Sequence, residues 1–277
     1  MLSFLSYRQK VKAAEPADSQ ATNLSNLETV RCNLCGGHRT RPLCQKYGLH
    51  VVVCKDCGLT FVNPRLIEAE ALRRYSPTYF AREYQPLQDR NWQSISQHYR
   101  NVLQSVKALA PTVQPFRLLE LGCGSGGLLH LAHKELGWEV SGVEYNPEAV
   151  RYAHQHYHLK SVVQCNLYGI HFPPSSFEAI VLADVIEHVY DPKRLVSNIQ
   201  QWLTPGGILF ISTPNIDSEG FHKQGADWAQ IGPGEHVYYF SSKTLTELLK
   251  QCRVPLVRLE YNTEDRDAIF AYAQKAA

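Results

Sequence analysis

The sequence predicts an α/β fold, a doubly wound parallel sheet with a small cysteine module in front of it. Three observations point there. An apolar strand runs into a glycine turn at "LLELGCGSGG", residues 118 to 127. Strands then alternate with helix starts as far as "GGILFIST", the pattern of a parallel sheet with helices on both faces. Upstream stand two Cys-x-x-Cys pairs, at 32–35 and 54–57.

At 277 residues the chain can bury one sizeable core and carry a small second module. Apolar residues at 44% and charged residues at 19% suit a soluble globular protein. A net charge of +2 gives no support to a phosphate-tracking surface, so nucleic acid is not the expected partner. No run approaches the ~18 consecutive apolar residues of a membrane helix, so no membrane is expected either. The opening "MLSFLSYRQKVK" puts its short apolar run ahead of its basic residues, the reverse of a secretory signal. A cytoplasmic location is expected. Residues 1–28, polar and Ala/Ser/Asn-rich from residue 8 onward, read as a flexible tail.

Residues 29–64 read as a zinc ribbon. Cys32 and Cys35 sit in "CNLCGG", Cys54 and Cys57 in "CKDCGL", giving C-x2-C-x18-C-x2-C. Thiolates three positions apart, with Gly just after, turn their sulfurs to one side of a tight knuckle. Two knuckles supply a tetrahedral site that leaves no open position, so the zinc is expected to be structural. Between them "YGLHVVVC" alternates and is β-branched, a strand feeding the second knuckle. His38 and Cys44 read as a solvated histidine and a small core thiol. Loss of a cysteine ligand is expected to unsettle residues 30–64 first and to leave the sheet domain able to bind its ligand.

Residues 65–112 form a helical linker or cap. "LIEAEALRRY" at 66–75 looks helical. From 89 to 110, Trp92, Ile95, Tyr99, Val102, Leu103, Val106 and Leu109 fall in steps of three and four, one face of a long helix. Pro111 and Pro115 then mark a boundary, and the sheet domain takes residues 113–277.

The glycine turn admits three ligands: a nucleoside triphosphate, a dinucleotide, or the amino-acid end of S-adenosylmethionine. No Gly-Lys-Ser/Thr follows it, against the first. The spacing is G-x-G-x-G, and Glu120 precedes it at the strand end. A carboxylate beside the cradle repels pyrophosphate and attracts an ammonium. "WEVSGVEYNP" is a second strand ending in Glu144, placed to accept bonds from ribose hydroxyls, a role shared by both remaining nucleosides. Asn146 and Pro147 start the next helix as N-cap and first helical residue. Ligand sites in such sheets lie at the carboxyl ends of the strands, where Glu120, Glu144, Asn166 and Asp184 all fall.

"LLELGCGSG", "GVEYNP", "FEAIVLADVIEHVYDP" and "GGILFISTPN" resemble, in order, the successive motifs of class I S-adenosylmethionine-dependent methyltransferases, over residues 116–277. The resemblance implies a Rossmann-like seven-stranded sheet. It also implies a cofactor set of Glu120, Gly122, Cys123, Gly124, Gly126, Glu144, Tyr145, Asn166, Leu167 and Asp184. Asn166 stands where the family usually has an Asp that bonds the adenine amino group. An amide oxygen can accept that bond, or Asn166 caps a turn. Tyr79 and Tyr84, in "YSPTYFAREY", either close over the sulfonium by cation–π contact or pack the modules together.

"DWAQIGPGEHVYYFS" is similar to a segment of bacterial methyltransferases that also carry a zinc ribbon. In relatives that C-methylate deoxysugar nucleotides, a Glu-His pair there is associated with proton abstraction. Carried over, the catalytic candidates are Glu235 and His236 with Tyr239, against the simpler role of anchoring the loop before the helix capped by Ser241. "DVIEH" resembles a motif of ubiquinone-type O-methyltransferases. One helical turn could present Asp184, Glu187 and His188 together to a divalent ion, and helix-start capping is the plainer reading. The expected function is methyl transfer to a small molecule, a sugar or natural-product intermediate. Against a ribosomal-RNA base methyltransferase, the fourth strand ends in "ADVIEH" rather than Asn/Asp-Pro-Pro-Tyr/Phe, and no Pro-Cys nucleophile is present. A non-catalytic scaffold using the ribbon for contacts is the third reading. Acceptor and oligomeric state are left open.

Overall fold

The structure, a computed structural model, describes residues 26–73, 80–262 and 265–277. The expected tail up to residue 25, and Tyr79, lie outside the described residues. The N-terminal module comprises β1 (Leu27–Glu28), β2 (Thr40–Lys46), β3 (Leu49–Cys54), β4 (Thr60–Val62) and β5 (Arg65–Leu66). The strands β2, β3 and β4 form an antiparallel meander in which β3 buries Val51, Val52 and Val53 and ends at Cys54. The β-branched run thus feeds the second knuckle as its composition requires.

α1 (Glu68–Leu72) starts later than the helix expected at 66–75, because Leu66 pairs in β5 and Ile67 is the N-cap, and residues 74–75 lie outside the described residues. A π-helical turn at Phe80–Tyr84 leads into α2 (Gln85–Leu109), which begins earlier than its apolar face announces. Proline in its first turn lacks only an N–H that has no intrahelical partner there. Ile95, Val102, Leu103 and Val106 are buried, with Trp92, Tyr99 and Leu109 packed beside them.

The main sheet follows from β6 (Arg117–Leu121), α3 (Gly127–Leu136), β7 (Glu139–Glu144), α4 (Pro147–His156), β8 (Val162–Gln164), β9 (Phe177–Ala183), α5 (Pro192–Trp202) and β10 (Leu203–Pro214). It closes with α6 (Glu219–Gln224), β11 (Tyr238–Tyr239), α7 (Ser242–Gln251), β12 (Leu256–Tyr261) and β13 (Ala268–Gln274), of which β11 lies outside the sheet. Seven strands run in the order β12-β13-β10-β9-β6-β7-β8, parallel except β13, which is antiparallel to both neighbours. Alternate residues feed opposite faces. Leu119, Leu121, Ile180 and Leu182 enter one core, Leu118, Ala179 and Val181 the other. Both faces are covered, so the strands read as unbroken apolar runs. Asn146 caps α4 by accepting from Glu148 and Ala149, as its position before Pro147 predicts.

The N-terminal module is not a bead on a string. β11 pairs with β4 and makes the meander a four-stranded sheet, β11-β4-β3-β2. Cys32, Leu34, Cys54, Leu59 and Phe61 share one apolar core with Ile186, Tyr190, Leu195 and Tyr238. An open edge on β4 is thereby paired. Among the described residues no helix is long and apolar enough to cross a membrane.

Candidate active site

Strand order reverses between β6 and β9, and the loops after their carboxyl ends enclose a cleft of about 210 Å³. Its floor is the glycine turn. Gly122, Gly124 and Gly126 have φ of 73°, 53° and 81°, and Gly126 caps α3 in the left-handed region. A Cβ on Gly122 would stand 2.6 Å from Val185 Cγ2, and one on Gly124 2.6 Å from Tyr84 Oη. Glycine is what lets both side chains close on the turn. Tyr84 lines the cleft. It lies over the cradle, its Oη accepting from Gln88 Nε2 at 3.0 Å.

Two carboxylates flank the turn in different states. Glu144 lines the cleft, and its oxygens accept from the backbone N–H of Gly124 and of Asn146, each at 2.8 Å. Burial raises its pKa and those two bonds oppose the rise. It is thus a brace for the turn as well as a candidate ribose acceptor. Glu120 lies deeper, 4% exposed and outside the cleft lining. Its Oε2 is buried and has no hydrogen-bond partner among the described residues. Burial first, and the Glu144 charge second, push its pKa well above the carboxylate range. Cys123 turns its side chain into the core and gives the turn only its backbone.

Tyr145, Asn166 and Leu167 line the cleft as expected. Asn166 also caps a turn, its Oδ1 accepting from the Tyr168 N–H at 2.9 Å while Nδ2 donates to Glu68 at 3.4 Å. The turn-capping bond is formed, by the same side chain that borders the cleft. Asp184 lines the cleft too, but φ of 56° turns it away from the residues after it, and its carboxylate accepts from Ser212 Oγ at 2.9 Å. The single helical turn presenting Asp184, Glu187 and His188 together does not form. Ile186–His188 is one 3-10 turn, and Asp184 precedes it.

His236 takes that third place. Ligand-capable atoms of Glu187, His188 and His236 lie within 4.8 Å of one another. Glu187 is buried and accepts from Thr213 Oγ1 at 3.0 Å. The two imidazoles meet edge to face, centroids 4.6 Å apart at 78°. Each Nδ1 faces a carbonyl oxygen, Glu235 O at 3.0 Å for His188 and Gln230 O at 2.9 Å for His236, so each Nδ1 carries the proton. His188 and Glu235 line the cleft, whereas His236 is 5% exposed behind them. Tyr239 is farther still, in an apolar cluster with Leu49, Trp228 and Ile231. Sequence reasoning missed Tyr168 and Tyr190, which also line the cleft. They stand in loops, where no periodicity marks a wall.

The four cysteines converge. Cys32 and Cys57 sulfurs are 3.5 Å apart, as are those of Cys35 and Cys54, and all four lie within 4.8 Å. Gly36 N–H donates to Cys32 O and Gly58 N–H to Cys54 O, closing two knuckles on glycines at φ 74° and 85°. A zinc tetrahedron with Zn–S near ~2.3 Å spaces its sulfurs by about 3.8 Å, so the donor set fits. Burial pushes the Cys32 thiol up to about 11, which a metal would offset by displacing the proton. Cys44 pairs with Val51 in β2 and stays outside the cluster.

A family model for a methyltransferase domain matches residues 93–252. Ubiquinone biosynthesis O-methyltransferases of Xanthomonas campestris and Xanthomonas axonopodis are 39% and 37% identical over 112 residues, 38% of this chain and 46% of each of those proteins. The chain therefore spans about half the length of the curated relatives it matches. Among solved structures, an S-adenosylmethionine-dependent methyltransferase of Archaeoglobus fulgidus superposes with a TM-score of 0.55 at 17% identity, over 70% of this chain and all of that one. One from Mesorhizobium loti gives 0.51 at 18% identity, over 62% and 96%. At such identities the likeness establishes the fold.

Proposed function

The chain belongs to the S-adenosylmethionine-dependent methyltransferases, and on that premise we propose that it methylates a small molecule bound in the switch-point cleft. The observation that carries this reading is the pairing of a glycine cradle with a buried, unpartnered Glu120 oxygen beside it. Once ionised, such an oxygen suits an ammonium, directly or through water, and repels a pyrophosphate. When bound, S-adenosylmethionine supplies a methyl group on a positively charged sulfur, an electrophile that needs alignment more than activation. Glu144 would accept from ribose hydroxyls, and Asn166 and Leu167 would border the base.

Leu167, Tyr168, Val189 and Tyr190 give the cleft apolar and aromatic walls. They support an acceptor with an aromatic or apolar face, a natural-product-like intermediate rather than a bare sugar. The acceptor's proton would leave to His188. With Nδ1–H given to the Glu235 carbonyl, the lone pair of His188 sits on Nε2, 3.9 Å from the Glu187 carboxylate that would stabilise the imidazolium. His236 would then act by holding the His188 ring. The structural zinc would be held by Cys32, Cys35, Cys54 and Cys57.

The test is S-adenosylhomocysteine binding by calorimetry, followed by its release in a panel of phenols, catechols and sugar nucleotides. No binding would leave the scaffold reading. With an acceptor in hand, His188→Gln should lower turnover by ~10²–10⁴-fold at little change in cofactor affinity. A His188→Gln enzyme of near-normal rate beside an inactive His236→Gln enzyme would return the base to His236.

A further inference from the structure

We propose that Asn33 is a positioning residue for the cleft, tying the first cysteine knuckle to the wall that carries Tyr168 and Tyr190. The proposal rests on the cleft being the cofactor and acceptor site. Asn33 lies between Cys32 and Leu34, half-buried. The middle residues of this Cys-x-x-Cys knuckle supply no ligand, and Leu34 enters the shared apolar core. Asn33 reaches into the sheet domain. Its Nδ2 donates to Asp191 Oδ1 at 2.9 Å, and its Oδ1 accepts from the Lys193 backbone N–H at 3.0 Å.

Asp191 is a junction. Its Oδ1 also accepts from the Arg194 N–H at 3.0 Å as the N-cap of α5, and its own N–H donates to the Tyr168 hydroxyl. Tyr168 and Tyr190, on either side of this junction, both line the cleft. Hydrogen bonds therefore run unbroken from the knuckle to the wall. A second tie holds the same wall from β5. Arg65 donates to Tyr190 O at 3.0 Å with its guanidinium 4.3 Å from the Tyr190 ring centroid, and the Tyr190 hydroxyl donates to Leu66 O at 2.7 Å.

The chemistry at residue 33 is selective. One side chain must donate to a carboxylate and accept from a backbone N–H, which an amide does and a carboxylate, hydroxymethyl or alkyl group at that reach does not. The knuckle that aims this amide is shaped by Cys32 and Cys35. Metal at the four sulfurs would thus hold Asn33 in register, and its loss would relax the cleft wall. The ribbon becomes part of the site's construction rather than a separate binding module.

The test uses the full chain, S-adenosylhomocysteine as the ligand probe, and hydrogen exchange over residues 166–191 as a readout independent of activity. Asn33→Asp sets two carboxylates against each other. It should weaken S-adenosylhomocysteine by about tenfold and speed exchange in that segment, with zinc content unchanged. Asn33→Ser adds no charge but is too short to span both partners, and should shift affinity and exchange in the same direction by a smaller amount. Wild-type affinity and exchange in Asn33→Asp would overturn the proposal, as would wild-type exchange in Asn33→Ser. Chelation of the wild-type metal should raise exchange at 166–191, and unchanged exchange would sever the link to the metal. If the wild type itself binds no S-adenosylhomocysteine, the methyltransferase reading fails, while the exchange comparison still decides the role of Asn33.

Discussion

Replacing Glu120 with Gln separates what a buried carboxyl costs from what it does. The side chain is 4% exposed, Oε2 has no hydrogen-bond partner among the described residues, and burial with the Glu144 charge raises its pKa. Between its unfolded and its raised folded pKa the native state binds more protons, so stability falls as pH rises through that window. Glutamine has the same shape and no proton to lose. Glu120→Gln should therefore be more stable than the wild type at neutral pH, each kcal/mol appearing as about 2–4 °C in Tm. Affinity should move the other way. A charge-assisted bond to an ammonium contributes ~1.5–3 kcal/mol, so S-adenosylhomocysteine should bind about 10- to 150-fold more weakly. Methylthioadenosine lacks the amino-acid end and should bind both proteins alike. Binding an ammonium requires the ionised carboxylate, so wild-type affinity should fall as pH drops through the raised pKa, and the variant should lack that limb. Calorimetry with both ligands across pH, beside thermal melts, reads all of this. Equal losses for the two ligands, or a destabilised variant with unchanged S-adenosylhomocysteine affinity, would refute the reasoning.

Glu144→Gln keeps an acceptor for one of the two backbone N–H groups now bonded at 2.8 Å and sets an amide N–H₂ against the other, and should weaken S-adenosylhomocysteine by ~100-fold while lowering stability. Calorimetry and melts check it, and a loss of affinity without loss of stability would deny Glu144 its bracing role. Cys54→Ser should abolish zinc in elemental analysis. Because Cys54 shares a core with Ile186, Tyr190 and Leu195, the whole chain should melt earlier in one transition, not the ribbon first. Two separated transitions would show that the sheet domain stands without it.

Local chemistry made much of this protein legible in its sequence. The unbroken apolar runs, the Asn146–Pro147 and Asp191–Pro192 helix starts and the glycine spacing each dictate their own conformation, and they yielded the doubly wound sheet and its switch point. The two knuckles needed only their Cys-x-x-Cys-Gly spacing, and Glu144, Asn166 and Asp184 lay where strand ends must open on a ligand. Contacts between segments distant in the chain were decided only by the tertiary structure. Glu235 and His236 are adjacent in sequence, yet one lines the cleft and the other is buried behind His188, because the His236 ring is held by the Gln230 carbonyl and packs on His188. Asp184 and Glu187 were parted by a single left-handed residue that nothing in "ADVIEH" announces. Beyond their shared apolar core, the ribbon meets the sheet domain through a two-residue strand, an arginine and an asparagine, signals too short to carry a period. Burial likewise sets how Glu120 and Glu144, two glutamates at the ends of neighbouring strands, differ: backbone N–H groups reach one and not the other.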